Sequence, residues 1–150
     1  VTLTAPTVMI CIFLMWIGAS PASTGGGIKT TTFAIATLNI LALAKGKTRT
    51  EIYRREVSDN SLRRAFAIIA LSLLVNGIAI FLLMITEKDK DLLSLAFETF
   101  SAYSTVGLSL NLTPVLSPAG KIIIIFVMFI GRVSMLSLLR AITTRVKYFN

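Results

Sequence analysis

The sequence predicts an all-α membrane protein in which a broken transmembrane helix is followed by one span–re-entrant loop–span repeat. Three observations carry that expectation. Of the 150 residues, 55% are hydrophobic, only 15% are charged and none is histidine, whereas a soluble domain carries about 25% charged residues. Apolar stretches of helix-forming length alternate with short polar ones. Finally, residues 3–18, LTAPTVMICIFLMWIG, align without a gap on residues 116–131, LSPAGKIIIIFVMFIG. Leu3/Leu116, Ile10/Ile123, Ile12/Ile125, Phe13/Phe126, Met15/Met128, Ile17/Ile130 and Gly18/Gly131 are identical pairs. A repeated membrane segment points to a repeated architecture around a site or pore.

The elements follow in order. Residues 5–18 form an apolar helix with Pro6 in its first turn, where proline is tolerated. Residues 19–32, ASPASTGGGIKTTT, are small and polar, and residues 33–44 are apolar again. A single helix over 5–44 would be roughly 60 Å long, about twice the thickness of a bilayer core. Pro21 and Gly25-Gly26-Gly27 also oppose continuity. The expectation for 1–44 is a broken membrane helix, whose irregular middle is tolerated only where protein buries it or water lines it. Residues 45–64 form a polar, basic loop. Within 65–150, residues 65–86 form a full span and 87–91 (EKDKD) a charged turn. Residues 92–103 are apolar but too short to span, and 116–139, opened by Pro118, form a second span.

Charge sets the orientation. Loop 45–64 holds seven Lys or Arg and the tail three (Arg140, Arg145 and Lys147), while Lys88, Lys90 and Lys121 lie on the other side. The positive-inside rule makes the loop and the C-terminus cytoplasmic. Residues 92–115 then begin and end outside, so they dip into the membrane and return. The net charge of +8 belongs to this pattern. Aromatic residues do not interleave with the basic ones, so the partner is the lipid bilayer and not nucleic acid.

Cys11 is the single cysteine, which excludes an intrachain disulfide or a cysteine-based metal site; it reads as a small hydrophobe. The chain begins at Val1 within one copy of the repeat and reads as a piece of a longer polypeptide. A signal peptide ending near Ala22 is rejected, because no positive segment precedes it and the same segment recurs at 116–131. No histidine, no carboxylate pair at working distance and no activated nucleophile is present, so no enzyme is expected.

The chemistry concentrates in residues 97–110, FETFSAYSTVGLSL. A half-helix runs into Thr105-Val106-Gly107-Leu108-Ser109, which reads as a re-entrant loop that could dehydrate a cation with backbone carbonyls. Thr105-Val106-Gly107 matches the first three positions of the Thr-Val-Gly-Tyr-Gly filter of potassium channels. Gly107 permits the backbone angles that carbonyl alignment needs, and the helix C-terminus would turn its negative end to the ion. An ordinary glycine turn is the plainer alternative. Glu98 reads as a cap or brace behind the loop, with direct ion ligation the weaker alternative. Arg132 follows Gly131 inside an apolar span, so it should face a cavity or a polar partner; a helix-end arginine that snorkels is the alternative. Asn76 reads as interhelical hydrogen-bond glue, and Trp16 as packing. Ser20–Thr32 could suggest a phosphate-binding loop, but Ile28 separates Gly27 from Lys29 and no strand precedes.

The span–loop–span order, FETFSAYSTVGLS, LSPAGK and MFIGR together resemble the fourth M1–P-loop–M2 pore repeat of the Trk/Ktr/HKT superfamily of potassium and sodium transport proteins. MWIGASPASTGGGIKTTTF resembles the broken M2 helix of that superfamily's third repeat. The resemblance covers essentially the whole chain. It implies that the chain is part of the ion-conducting subunit of a potassium uptake system, with K⁺ (or Na⁺) as the transported ion and no other cofactor. Thr105, Val106, Gly107, Leu108 and Ser109 would form one quarter of the filter. Ser20, Ser23, Thr24, Gly25, Gly26, Gly27, Lys29 and Thr30 would belong to an intramembrane gate loop over 19–32. The internal alignment sets Arg132 opposite Ala19, at the level of that loop, where it would form a pore constriction.

In the superfamily one polypeptide holds four such repeats around one pore. Repeats one and two and the filter of repeat three are absent from this chain, so the remaining repeats of the parent polypeptide are implied partners. A homodimer and a cytoplasmic nucleotide-binding regulatory ring are further implied partners. The rival reading is a non-conducting membrane assembly subunit whose glycines serve only close helix packing.

Overall fold

The computed structural model describes residues 3–18, 20–21, 25–46, 51–52, 55–56 and 58–133. Among the described residues five α-helices make the architecture. They are α1 (Ala5–Trp16), α2 (Thr30–Ala44), α3 (Asp59–Thr86), α4 (Leu92–Ser104) and α5 (Pro118–Arg132), with a 3-10 turn at Thr113–Val115. Between α2 and α3 lie two strands of two residues each, β1 (Glu51–Ile52) and β2 (Arg55–Glu56). They pair antiparallel, Glu51 with Glu56 and Ile52 with Arg55.

Local chemistry sets the helix starts. Ser117 caps α5 by accepting from the Gly120 N–H at 3.1 Å, with Pro118 following in the first turn. Asp91 caps α4 through the Leu93 N–H. Ser58 caps α3 through the Ser61 N–H, and Asp59 favours the same helix end. That cap lies seven residues ahead of the expected span, so the C-terminal part of the basic loop is helical. Arg63 and Arg64, good helix formers, ride on its first turns. The second half of the broken helix also starts earlier than the apolar run suggests. Thr30, Thr31 and Thr32 lie in the first turn of α2, because nothing after Gly27 opposes a helix and threonine costs only a few tenths of a kcal/mol there. The expected span to residue 139 is described as helix as far as Arg132; residues 134–150 lie outside the described residues.

The packing is that of a membrane protein. Met9, Phe13, Phe81, Phe126 and Phe129 are exposed, while Ser72, Asn76, Glu98, Thr99 and Ser104 are buried. Large apolar side chains outside and polar ones inside suit a hydrocarbon surround. Among the described residues one helix, α3, is long and apolar enough to cross a bilayer alone. α4 is the central element. Its 13 residues reach only about 20 Å, and α1, α3 and α5 all pack on it. Leu95, Ala102 and Tyr103 of α4 join Ala79 and Leu83 of α3 and Ile124 and Val127 of α5 in the main core. Phe97 turns to the other side, against Val8 and Met15 of α1, where Cys11 also packs.

Two expectations are corrected. The Asn76 amide donates to the Ser72 carbonyl of its own helix at 2.8 Å, so it is not glue between helices through that group. A helix offers such a carbonyl one turn away. Trp16 does more than pack: its indole N–H donates to Ser72 Oγ at 3.1 Å, tying α1 to α3. Phe33 packs edge-on against Phe13 and Trp16, with centroids 6.2 and 6.4 Å apart, which links the two halves of the broken helix.

Candidate functional site: the turn after the central helix and the loop against it

α4 ends where the segment expected to form the filter, residues 105–109, begins. The Val106 N–H donates to the Ser101 carbonyl at 3.0 Å and the Thr105 N–H to the Ala102 carbonyl at 3.2 Å. This is a Schellman-type end with Thr105 in the left-handed position, φ 53 and ψ 37. Glycine usually takes that place; a β-branched residue there costs of order 1–3 kcal/mol. Threonine supplies what glycine cannot, a hydroxyl, and Thr105 Oγ1 accepts the Gly26 N–H at 2.8 Å. Gly107 has φ 82, and a Cβ on it would meet nothing within 4 Å. Glycine is therefore needed for its backbone angle and not for space.

The chain's return is tied to α4 by side chains. Ser101 Oγ donates to the Leu108 carbonyl at 2.6 Å. Ser109 Oγ donates to Glu98 Oε1 at 2.5 Å, and the Leu110 and Leu112 N–H groups reach the same oxygen at 3.0 and 3.4 Å. Thr113 Oγ1 donates to Glu98 Oε2 at 2.7 Å. Glu98 thus stands in the bracing position expected of it, only 5% exposed. Of the five segment residues, Leu108 and Ser109 give polar groups to holding the limb. Thr105, Val106 and Gly107 lie between these two anchored ends, the helix terminus and the return limb.

The irregular stretch of the broken helix lies against this turn. It closes on itself: the Ile28 N–H donates to the Trp16 carbonyl at 3.3 Å, Ile17 and Ile28 form a parallel bridge, and Lys29 Nζ donates to the Pro21 carbonyl at 2.9 Å. Ile28 is fully buried, which anchors the loop's exit. Three backbones then meet without side chains between them. A Cβ on Gly26 would come within 2.8 Å of the Tyr103 carbonyl oxygen and 3.1 Å of that of Gly131. A Cβ on Gly131 would fall well inside contact with the Tyr103 carbonyl, and one on Gly18 would do the same with that of Gly26. A Cβ on Gly27 would press on Ser104 Oγ at 2.9 Å. The repeated Gly18 and Gly131 therefore both border the loop.

Of the predicted loop residues, Gly26 and Gly27 touch the end of α4. Lys29 braces the loop, Ser20 is exposed and Thr30 opens α2. Gly25 is described in the irregular segment, and Ser23 and Thr24 lie outside the described residues. Arg132 is the exposed last residue of α5 and directly follows Gly131 at the junction. Tyr103, whose carbonyl sits at the centre of the junction, was not singled out from the sequence. The Ile-Gly ending shared by both repeat copies was the signal that pointed there. Among the described residues no group of three His, Cys, Asp or Glu side chains that could hold a metal ion occurs.

The chain matches the TrkH family, described as cation transport protein, over residues 2–148. It is 45% identical over 131 residues to the Ktr system potassium uptake protein B of Bacillus subtilis, a match covering 87% of this chain and 29% of that protein. It is 43% identical over 133 residues to the Ktr system potassium uptake protein D of the same organism, covering 89% of this chain and 29% of that protein. It is 41% identical over 132 residues to the potassium/sodium uptake protein NtpJ of Enterococcus hirae, covering 86% of this chain and 29% of that protein. The chain thus spans less than a third of the length of these relatives.

Proposed function

We propose a function on one premise: the chain belongs to the TrkH family of cation transport proteins. A family of transporters places it in a membrane and makes it no enzyme. Within a longer polypeptide it supplies part of the pore of a K⁺ or Na⁺ uptake protein. One observation carries this reading. A short buried helix ends in Thr105-Val106-Gly107, and the glycine loop of the broken helix is hydrogen-bonded to the first of these residues.

In this reading the carbonyls of Thr105, Val106 and Gly107 replace part of an ion's hydration shell, as rings of carbonyls do in cation filters. Leu108 and Ser109 complete the segment by anchoring it. The loop from Ser20 to Thr30 is the gate. Its glycines allow more than one backbone course, and Lys29 closes one of them across the loop. Arg132, one residue beyond the junction, places a positive charge at the loop's level and raises the barrier to cations there. The remaining repeats of the polypeptide complete the ring around the pore. Loop 45–64 and the tail are the cytoplasmic surfaces that would meet a regulatory ring, and the full protein works as a homodimer.

The test is ion uptake by the full-length polypeptide in cells that lack their own potassium transport. Restored growth at low K⁺, with uptake of K⁺ or Na⁺, supports the pore. Correct insertion with no uptake would favour a non-conducting assembly subunit.

A further inference from the structure

We infer that Glu98 is the residue that sets the filter's ion preference from behind, by fixing where the return limb lies, without touching the ion. The inference rests on the reading of 105–107 as a filter.

Four groups converge on one carboxyl group and all of them donate: two hydroxyls and two backbone N–H groups, from residues 109, 110, 112 and 113. A carboxylate is the one side chain that accepts only, and with two oxygens it has room for all four. Glutamine keeps one accepting oxygen for residues 109, 110 and 112, but its amide group must donate where Oε2 accepted, which reverses the Thr113 bond and removes the charge from all four. The position matters because both ends of the filter segment are held on α4. The near end is held by the helix-terminal bonds of Val106 and Thr105, and the far end by Glu98 together with Ser101. The carbonyls of Thr105–Gly107 lie between these fixed ends. Releasing the far end lets their spacing relax, and discrimination between K⁺ and Na⁺ depends on the number and spacing of such oxygens. The carboxylate's oxygens are occupied by their donors at 2.5–3.4 Å and the residue is 5% exposed, so it positions the segment and does not ligate the ion.

The experiment compares K⁺ and Na⁺ uptake by the full-length polypeptide as wild type, Glu98→Gln and Thr113→Val, with membrane insertion measured for each. Thr113→Val removes the donor to Oε2 and a long 3.5 Å contact with Ser109 Oγ, at an exposed residue of the 3-10 turn, so it does not threaten folding. Glu98→Gln is expected to lower the K⁺/Na⁺ uptake ratio about tenfold, the scale of one lost charge-assisted hydrogen bond. Thr113→Val should shift it in the same direction by a smaller factor, and the double variant should show less than the product of the two effects. An unchanged ratio in correctly inserted Glu98→Gln, with wild type transporting normally, overturns the inference and leaves the pore reading standing. A changed ratio in Glu98→Gln with none in Thr113→Val also overturns it, because the carboxylate would then act on the ion directly. No uptake by inserted wild type overturns the pore reading itself.

Discussion

Glu87 ties the end of α3 to the start of α5. Its Oε1 accepts the Ser117 N–H at 2.8 Å, at the N-terminus of α5 where a negative charge is favoured. The Ser117 side chain and then its backbone N–H hold the Glu87 carboxyl below its usual value of 4.5, with Lys90 and Lys121 adding attraction and burial opposing it. A depressed folded-state pKa means stability that is fully present above the unfolded value and lost as pH falls through the folded one. Thermal unfolding of the purified full-length protein should therefore be unchanged by Glu87 between pH 7 and pH 6. Below about 4.5 wild type should lose stability that Glu87→Gln never had, so the two melting curves converge in acid. At the same scale, Thr105 and Gly107 show what the residue pattern could and could not reveal. The demand for an unusual backbone angle at Gly107 was legible, because only glycine is comfortable there. The left-handed angle of Thr105 was not, because its compensation, the Gly26 N–H, comes from 79 residues away.

The elements met their boundaries where capping chemistry overrode apolar runs. The shortness of α4 and the break between α1 and α2 followed from length arithmetic alone, since neither a 13-residue helix nor a 40-residue one fits a bilayer. The start of α3 at Asp59 and of α2 at Thr30 did not, because polar residues extend a helix as readily as apolar ones once it has begun. The short β1–β2 pairing in the basic loop carried no alternation long enough to read. The close approach of α4, α5 and the loop was visible only as a repeated glycine.

That approach makes a prediction for the elements. Gly131→Ala inserts a methyl group where the Tyr103 carbonyl stands and should destabilise the protein by about 1–3 kcal/mol or part α5 from α4. Gly77→Ala, in α3 with open space beside it, should be neutral or stabilising by up to about 1 kcal/mol. Melting temperatures of the two variants in detergent check this, and equal behaviour would remove the junction from the account. Arg132, next to the junction, separates charge from hydrogen bonding. Arg132→Ala should speed flux with little change in ion preference. Arg132→Lys should behave like wild type if repulsion dominates, and like Arg132→Ala if the guanidinium holds the loop through its several donors. Unchanged flux in correctly inserted Arg132→Ala would place the side chain away from the ion path.

At the scale of the whole molecule, large apolar side chains such as Phe81, Phe126 and Phe129 face outward, while buried polar side chains of α4 (Glu98, Thr99, Ser101 and Ser104) share the interior with an apolar core. The apolar surface was predictable from composition, and the family match agrees with it. What composition could not reveal is the convergence of one carboxylate, one strained threonine and three backbone glycines on the end of a single short helix. Their partners are separated in sequence by between 11 and 79 residues.

The central claim is that this convergence holds an ion filter, and Gly107 tests it most directly. A side chain at Gly107 meets open space, so Gly107→Ser should insert and fold; its effect must come through the backbone angle of φ 82. The measurement is the K⁺/Na⁺ preference of uptake by the full-length polypeptide with and without Gly107→Ser, in cells lacking their own potassium transport. The account predicts restored uptake by wild type and a clear loss of K⁺ preference in the variant at equal membrane abundance. An unchanged preference and apparent affinity in the variant would contradict it and remove residues 105–109 from the filter.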